Sequence, residues 1–239
     1  DKTDTTLYSK YCKKYLVVPR IQEKKAVLRS FLSELGKKLT NYALLFSTTD
    51  LFSLHLSDLK DELEENYHVL LPDAEVVRTL IDKREFYKSL ADNKIPCPTT
   101  YFPKSREDTK RISKEIKYPI FVKPSISQIF VETFSRKGFL ANSANELMKY
   151  YLLTSRLRID TILQEVISGP AKNIYGLAGY FDRKSIPKAF FAYQRLRGWF
   201  PMFGTNTLIE SIPISDVTSI KEITATYLHQ LRYHGIMEA

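Results

Sequence analysis

Two lysines and two arginines carry most of the chemical information in this chain. The segment Tyr118-Pro-Ile-Phe-Val-Lys-Pro-Ser125 reads as a short apolar β-run that ends in an ammonium group. Alternation along a strand puts Ile120 and Val122 on one face, with Phe121 and Lys123 on the other. Lysine is rarely buried without a partner, so Lys123 in this setting points to a fixed anion such as a phosphate. Pro124 cannot donate to a sheet ladder and hands the chain to the loop Ser125-Ile-Ser-Gln128. Taken alone, the segment also fits a lysine snorkelling off an edge strand. Arg195 and Arg197 lie two residues apart, and plain strand alternation would turn both the same way. Adjacent guanidiniums repel unless an anion lies between them, and their forks fit phosphate or carboxylate. A basic surface ladder is the competing reading. Asp82-Lys83 opens a helix with a cation at the unfavourable end of the dipole, a cost of roughly 0.3–1 kcal/mol. That cost favours a ligand, over simple solvation, as the reason for Lys83.

These groups need elements to hold them. Residues 23–36 place Val27, Phe31, Leu32 and Leu35 at helical spacing, with Gly36 as a stop. Tyr42-Ala-Leu-Leu-Phe46 is a continuous apolar run of the kind buried in a parallel sheet. A helix over 50–65, a strand over 68–71 and a helix around Val76, Val77, Leu80 and Ile81 follow. Strand alternating with helix is the pattern of an α/β layer. The rigid connector Ile95-Pro-Cys-Pro98 marks a boundary. From 99 to about 163 the pattern predicts strand, helix (105–117), strand (118–123), strand (129–134), helix (143–153) and strand, a small α+β unit. Long strands over 173–182, 186–195 and 205–211 come next, the first two joined by a turn at Asp182-Arg-Lys-Ser185, before a helix over 216–232.

The formal net charge of +9 favours anionic partners, including phosphorylated ligands, acidic metabolites and nucleic acid. No apolar run approaches the roughly 18 residues that span a bilayer, so no membrane partner is expected. Cys12 and Cys97 have no metal or redox spacing, and a cytoplasmic location is the default. His55, His68, His229 and His234 match no common ligand set. Glycine-rich nucleotide fingerprints are absent, and no glycine occurs between Gly36 and Gly138.

Four pieces occur in a fixed order: Asp82-Lys83, Phe121-Val-Lys-Pro124, Leu163-Gln-Glu-Val-Ile-Ser-Gly169 and Gly235-Ile-Met-Glu238. Over roughly residues 40–239 the chain thereby resembles the ATP-grasp superfamily. The likeness is to its carboxylate–amine ligase-like branch, related to carbamoyl-phosphate synthetase large chain and biotin carboxylase. The resemblance implies a mixed α/β and α+β protein in three parts. These are an incomplete leading Rossmann-like subdomain with a connector helix (1–98), a small lid (99–163) and a truncated central subdomain (164–239).

The resemblance also implies ATP with Mg2+ between lid and central subdomain, and small-molecule carboxylate and amine substrates joined through an acylphosphate. Lys83 and Lys123 match the two phosphate-binding lysines. Gln164, Glu165, Val166 and Ile167 match the adenine hinge, where Val166 and Ile167 act through their backbones and Gln164 or Glu165 reaches purine or ribose. Asn173 matches a ribose-facing position and Glu238 the first magnesium carboxylate; Arg195 and Arg197, on their own spacing, are expected to bind the γ-phosphate, an acylphosphate or the acceptor carboxylate. The loop after Pro124 departs from the glycine-rich pattern of many relatives; the hydroxyls of Ser125 and Ser127 and the charge of Lys137 are the available substitutes. The second metal carboxylate is expected beyond Ala239, so the chain as it stands is expected to be catalytically incomplete. A homodimer is compatible with this reading. Its rivals are an ATP-binding module without catalysis and a basic nucleic-acid-binding protein, for which Lys10-Tyr-Cys-Lys-Lys-Tyr15 is the only suggestive run.

Overall fold

The computed structural model describes residues 5–18, 24–199 and 205–239. The first residue of the expected 23–36 helix lies outside them. The chain forms two compact units, Asp1–Val69 and Leu70–Ala239.

The first unit holds helix α1 (Lys25–Gly36), strand β1 (Ala43–Leu45), helices α2 (Asp50–Asp58) and α3 (Lys60–Leu63), and strand β2 (Tyr67–Val69). Leu28 and Leu32 of α1, Leu56, Leu59 and Leu63, and Tyr67 and Val69 of β2 are buried. The Tyr67 hydroxyl donates to the Leu32 carbonyl at 2.9 Å, which fixes β2 against α1. The Thr49 side chain accepts from Phe52 N–H and caps α2. β1 and β2 pair in parallel, as the alternation of strand and helix predicts. The expected burial of β1 is not found, since Leu44 and Phe46 are each 57% exposed. β1 has a single neighbour, β2, in a two-stranded sheet, so its other edge stays unpaired among the described residues.

The second unit contains two four-stranded antiparallel sheets. Helix α4 (Ala74–Ile81) leads into α5 (Lys83–Asp92), whose N-cap Asp82 accepts from Arg84 N–H. Strand β3 (Thr100–Tyr101), helix α6 (Arg106–Glu115), strand β4 (Ile120–Pro124), helix α7 (Ser127–Phe134), strand β5 (Phe139–Ala141), helix α8 (Ala144–Arg156) and strand β6 (Thr161–Glu165) build the first sheet, in the order β3-β6-β4-β5. Ile120 and Val122 face a core with Ile112, Phe130, Phe139, Leu147 and Leu163, as alternation predicts. Ser105 and Ser143 cap α6 and α8 by accepting from Asp108 and Glu146 N–H.

The strand expected at 129–134 is instead helix α7. Phe130 is fully buried, and its ring lies 4.7 Å from that of Phe134, one turn on, and 5.2 Å from that of Phe139. The i, i+4 aromatic pair outweighs the β-branched residues that suggest a strand.

Strand β7 (Tyr175–Phe181), strand β8 (Pro187–Trp199), strand β9 (Thr205–Ile212), helix α9 (Thr218–Gln230) and strand β10 (Gly235–Glu238) form the second sheet, in the order β10-β7-β8-β9. The expected turn is present, with Asp182 Oδ1 accepting from the N–H groups of Lys184 and Ile186. Gly235 adopts φ +111°, and a Cβ there would stand 2.3 Å from the Leu70 carbonyl oxygen, so only glycine starts β10 at this point. Leu90 of α5 packs with Phe181, Tyr227, Leu228, Tyr233 and Met237 beneath this sheet.

Candidate functional site: a lysine cluster and a carboxylate network

Lys123 lies at the end of β4, on the face opposite the buried Ile120 and Val122. Its Nζ donates to Gln164 Oε1 at 2.6 Å and stands 5.4 Å from the centre of the Phe121 ring. Burial, then the charges of Lys83 and Lys137, push the Lys123 pKa down to about 8. A neutral amide is thus its hydrogen-bond partner, while the charges acting on it are cationic. An arriving anion reverses that balance.

Gln164 is buried on β6, and its amide is spoken for at both ends. Oε1 also accepts from the Tyr87 hydroxyl at 3.4 Å, and Nε2 donates to Thr100 Oγ1 at 3.0 Å. Its side chain therefore acts under Lys123. The β4–β6 register ends with Ile120 opposite Glu165, whose N–H donates to the Thr99 carbonyl at 2.9 Å. Val166 and Ile167 continue past this ladder, and Ile167 is 69% exposed.

Lys83 comes from α5. Its backbone N–H donates to the Ser125 carbonyl at 3.0 Å and its Nζ to Ser127 Oγ at 2.7 Å. The Ser125 hydroxyl donates to Asp82 Oδ1, and Ser125 N–H donates to the Asp160 carbonyl at 2.9 Å. Arg84 grips the Asp160 carboxylate with two bonds, of 2.8 and 2.7 Å. Three consecutive residues at the start of α5 thus fasten it to the end of β4, the start of α7 and the start of β6. α7 follows Pro124 and Ser125 with no glycine in the connection. Its N-cap, Ile126, offers no side-chain bond, so the first-turn N–H groups depend on other acceptors. Helix N-termini of this kind favour anions.

A second network crosses the other sheet. Tyr193 on β8 donates its hydroxyl to Glu238 Oε1 on β10 at 2.6 Å and accepts from Asn206 Nδ2 on β9 at 3.2 Å. Asn206 Oδ1 in turn accepts from Arg195 Nε. Burial, then the bond to Glu238, pushes the Tyr193 pKa up to about 12, so the phenol remains a donor at neutral pH. Tyr193 pairs with Gly176 on β7, where a Cβ would fall 2.0 Å from the phenol Cζ. The missing side chain lets the ring lie across β7 and reach Glu238.

Arg197 lies at an irregularity of β8. The pairing of β8 with β9 shifts between Arg195 and Arg197 and again before Gly198, and such irregularities break the simple two-residue period. Asn173 ends a single 3-10 turn (Ala171–Asn173) and is exposed. That turn is tied to β8 by Arg195 N–H on the Ile174 carbonyl at 2.9 Å and by Gln194 Nε2 on the Lys172 carbonyl at 2.6 Å.

The residues anticipated from sequence therefore gather in two groups: Lys83, Lys123, Ser125 and Gln164 in one, Arg195 and Glu238 in the other. Tyr87, Thr100, Tyr193 and Asn206 were not anticipated. The one local signal was Gly176, a glycine inside a strand, which often marks a close approach.

No protein-family profile matches the chain. The curated formate-dependent phosphoribosylglycinamide formyltransferase of Sulfurisphaera tokodaii is 37% identical over 68 residues, which is 28% of this chain and 17% of that protein. Among solved structures, the biotin carboxylase–β-γ-ATP complex of Campylobacter jejuni superposes with a TM-score of 0.66 at 14% identity, covering 90% of this chain and 48% of that one. Carboxyaminoimidazole ribonucleotide synthase of Aspergillus clavatus, complexed with ATP, gives a TM-score of 0.62 at 11% identity, covering 90% and 51%. The chain spans about half the length of these solved structures. It has the ATP-grasp fold, with mixed α/β and α+β layers.

Proposed function

We propose that the chain is the nucleotide-binding part of an ATP-dependent carboxylate–amine ligase that forms a C–N bond through an acylphosphate. The observation that carries this reading is Lys123: a mostly buried ammonium, set on a neutral amide and crowded by two further lysines. Such a cluster is costly when empty and suits a polyphosphate. The solved neighbours named above were complexed with ATP or an ATP analogue, which supports the same ligand here.

In this reading the chain has three parts, 1–98, 99–163 and 164–239, and ATP lies between the sheet of Lys123 and the sheet of Glu238. The backbones of Val166 and Ile167 take the adenine edge, with Glu165 and Asn173 toward the ribose. Lys123, Lys83, Ser125 and the first-turn amides of α7 hold the phosphates, and Gln164 orients Lys123. Magnesium fits Glu238 as a single carboxylate ligand, because this ion takes most of its remaining coordination from phosphate oxygens and water. When bound it would neutralise charge on the transferring phosphoryl group. Arg195 and Arg197 orient that group or the acceptor carboxylate. A carboxylate oxygen of the acceptor attacks the terminal phosphorus and ADP leaves; the amine nitrogen then attacks the acyl carbon and inorganic phosphate leaves. Both substrates are small molecules, and a homodimer is compatible with the arrangement.

A second reading, ATP binding without catalysis, is favoured by one observation. The segment that would lie against the phosphates, Ser125 to Gln128, contains no glycine to let backbone amides approach closely. Titration calorimetry tests what both readings share: saturable binding of ATP with Mg2+, and weaker binding of GTP, whose exocyclic oxygen would oppose a backbone carbonyl at the hinge. GTP bound as tightly as ATP would remove the hinge assignment, and no binding of either would remove the proposal.

A further inference from the structure

We infer that Tyr193 and Asn206 are positioning residues that lock the Glu238 carboxylate and the Arg195 guanidinium into one unit spanning the sheet from β10 to β9. The inference rests on the reading of Glu238 as the magnesium carboxylate. The bonds run in one direction from Arg195 Nε to Asn206 Oδ1, from Asn206 Nδ2 to the Tyr193 hydroxyl at 3.2 Å, and from that hydroxyl to Glu238 Oε1 at 2.6 Å. Each donor and acceptor is thereby assigned, and the amide of Asn206 can sit only one way round.

Three structural features indicate a built link rather than a chance contact. Tyr193 is 7% exposed, although its neighbours Phe191 and Leu196 on the same strand are 50% and 43% exposed. Its ring occupies the space that any side chain at position 176 would fill. Its hydroxyl reaches past the intervening strand β7 to Glu238 Oε1 on β10, beyond the strands that β8 itself pairs with. A hydrogen bond to one oxygen of a metal-ligating carboxylate fixes the direction of the other oxygen and tunes its affinity for the ion. Arg195, at the far end of the same chain of bonds, is then held at a set spacing from the ion that Glu238 would carry. The link makes metal binding and orientation of the reacting phosphoryl group interdependent.

Tyr193→Phe keeps the ring over Gly176 and removes only the hydroxyl. The experiment is a titration of ATP binding by the full chain at stepped Mg2+ concentrations, with the circular dichroism melt as a check on the fold. The Mg2+ concentration that half-saturates the effect should rise about tenfold or more in Tyr193→Phe, the usual result of removing a partner of a metal ligand. ATP affinity without Mg2+ should stay unchanged, a split that general loosening of the sheet would not produce. Asn206→Ala should shift the same quantity in the same direction, and the double variant should be no worse than the poorer single, because both break one link. Wild-type Mg2+ dependence that survives intact in Tyr193→Phe overturns the inference and leaves the ligase reading standing. ATP binding that ignores Mg2+ in the wild type overturns both.

Discussion

Lys123 Nζ rests 2.6 Å from the Gln164 carbonyl oxygen while burial and two lysines hold its pKa at about 8, so near that pH half of the molecules carry a neutral amine there. A phosphate favours the charged form and moves the pKa back up. Binding therefore takes up a proton, and affinity should fall as pH rises through 8 toward the unperturbed value near 10.5. Calorimetry at pH 8 in buffers of different ionisation enthalpy measures that uptake; a binding heat independent of buffer would place the phosphates elsewhere. Lys123→Ala should weaken ATP by on the order of 1.5–3 kcal/mol, the scale of a charge-assisted bond. Lys123→Arg should restore only part of this, because a planar fork does not replace a point charge. Lys123 itself was legible because its signal is local: an apolar strand, a lysine, a proline. The contacts that set its chemistry were not. Gln164 reaches it across 41 residues of chain and is itself held by Thr100 across 64, and Tyr193 meets Glu238 across 45. Spacing within a segment cannot report such contacts.

At the scale of elements, most of the helix and strand order follows from periodicity, and the exceptions have physical causes. Residues 129–134 read as a strand because β-branched residues alternate there, yet Phe130 and Phe134 share a helical face that the core of the first sheet accepts. Phe130→Ala should destabilise the chain by ~3–5 kcal/mol through loss of burial and a residual cavity, as read by urea unfolding. A loss within ~0.5 kcal/mol, the usual range of surface substitutions, would mean the helix is not seated there. The lid expected over 99–163 is joined to the rest of the chain by the connector at 95–98 and the segment 164–169. The structure adds a third tie, since α5 is fastened through Asp82, Lys83 and Arg84 to the first sheet while Leu90 and the Tyr227–Ser89 hydrogen bond hold it beneath the second. We propose that α5 carries the relative movement of the two sheets. The hinge strand can be tested separately. Val166→Ala should leave ATP affinity nearly unchanged, whereas Ile167→Pro should abolish most of it by deleting a backbone donor. Equal effects would contradict a backbone-mediated adenine contact.

For the whole molecule, a net charge of +9 admits nucleic acid as readily as a nucleotide, and composition alone cannot choose. Among the described residues no helix is long and apolar enough to cross a membrane. The choice falls to where binding is felt. A nucleotide held between the two sheets should draw Lys123 toward its phosphates and exclude water from the reacting centre, in the manner of a hinge closure. A nonspecific polyanion would instead touch scattered surface lysines. Hydrogen exchange followed by mass spectrometry, with and without ATP and Mg2+, separates the two most directly. The account predicts strong slowing confined to 119–135 and 163–169, with the first unit over 24–69 little changed. Uniform protection along the chain, or none in 119–135, would contradict it.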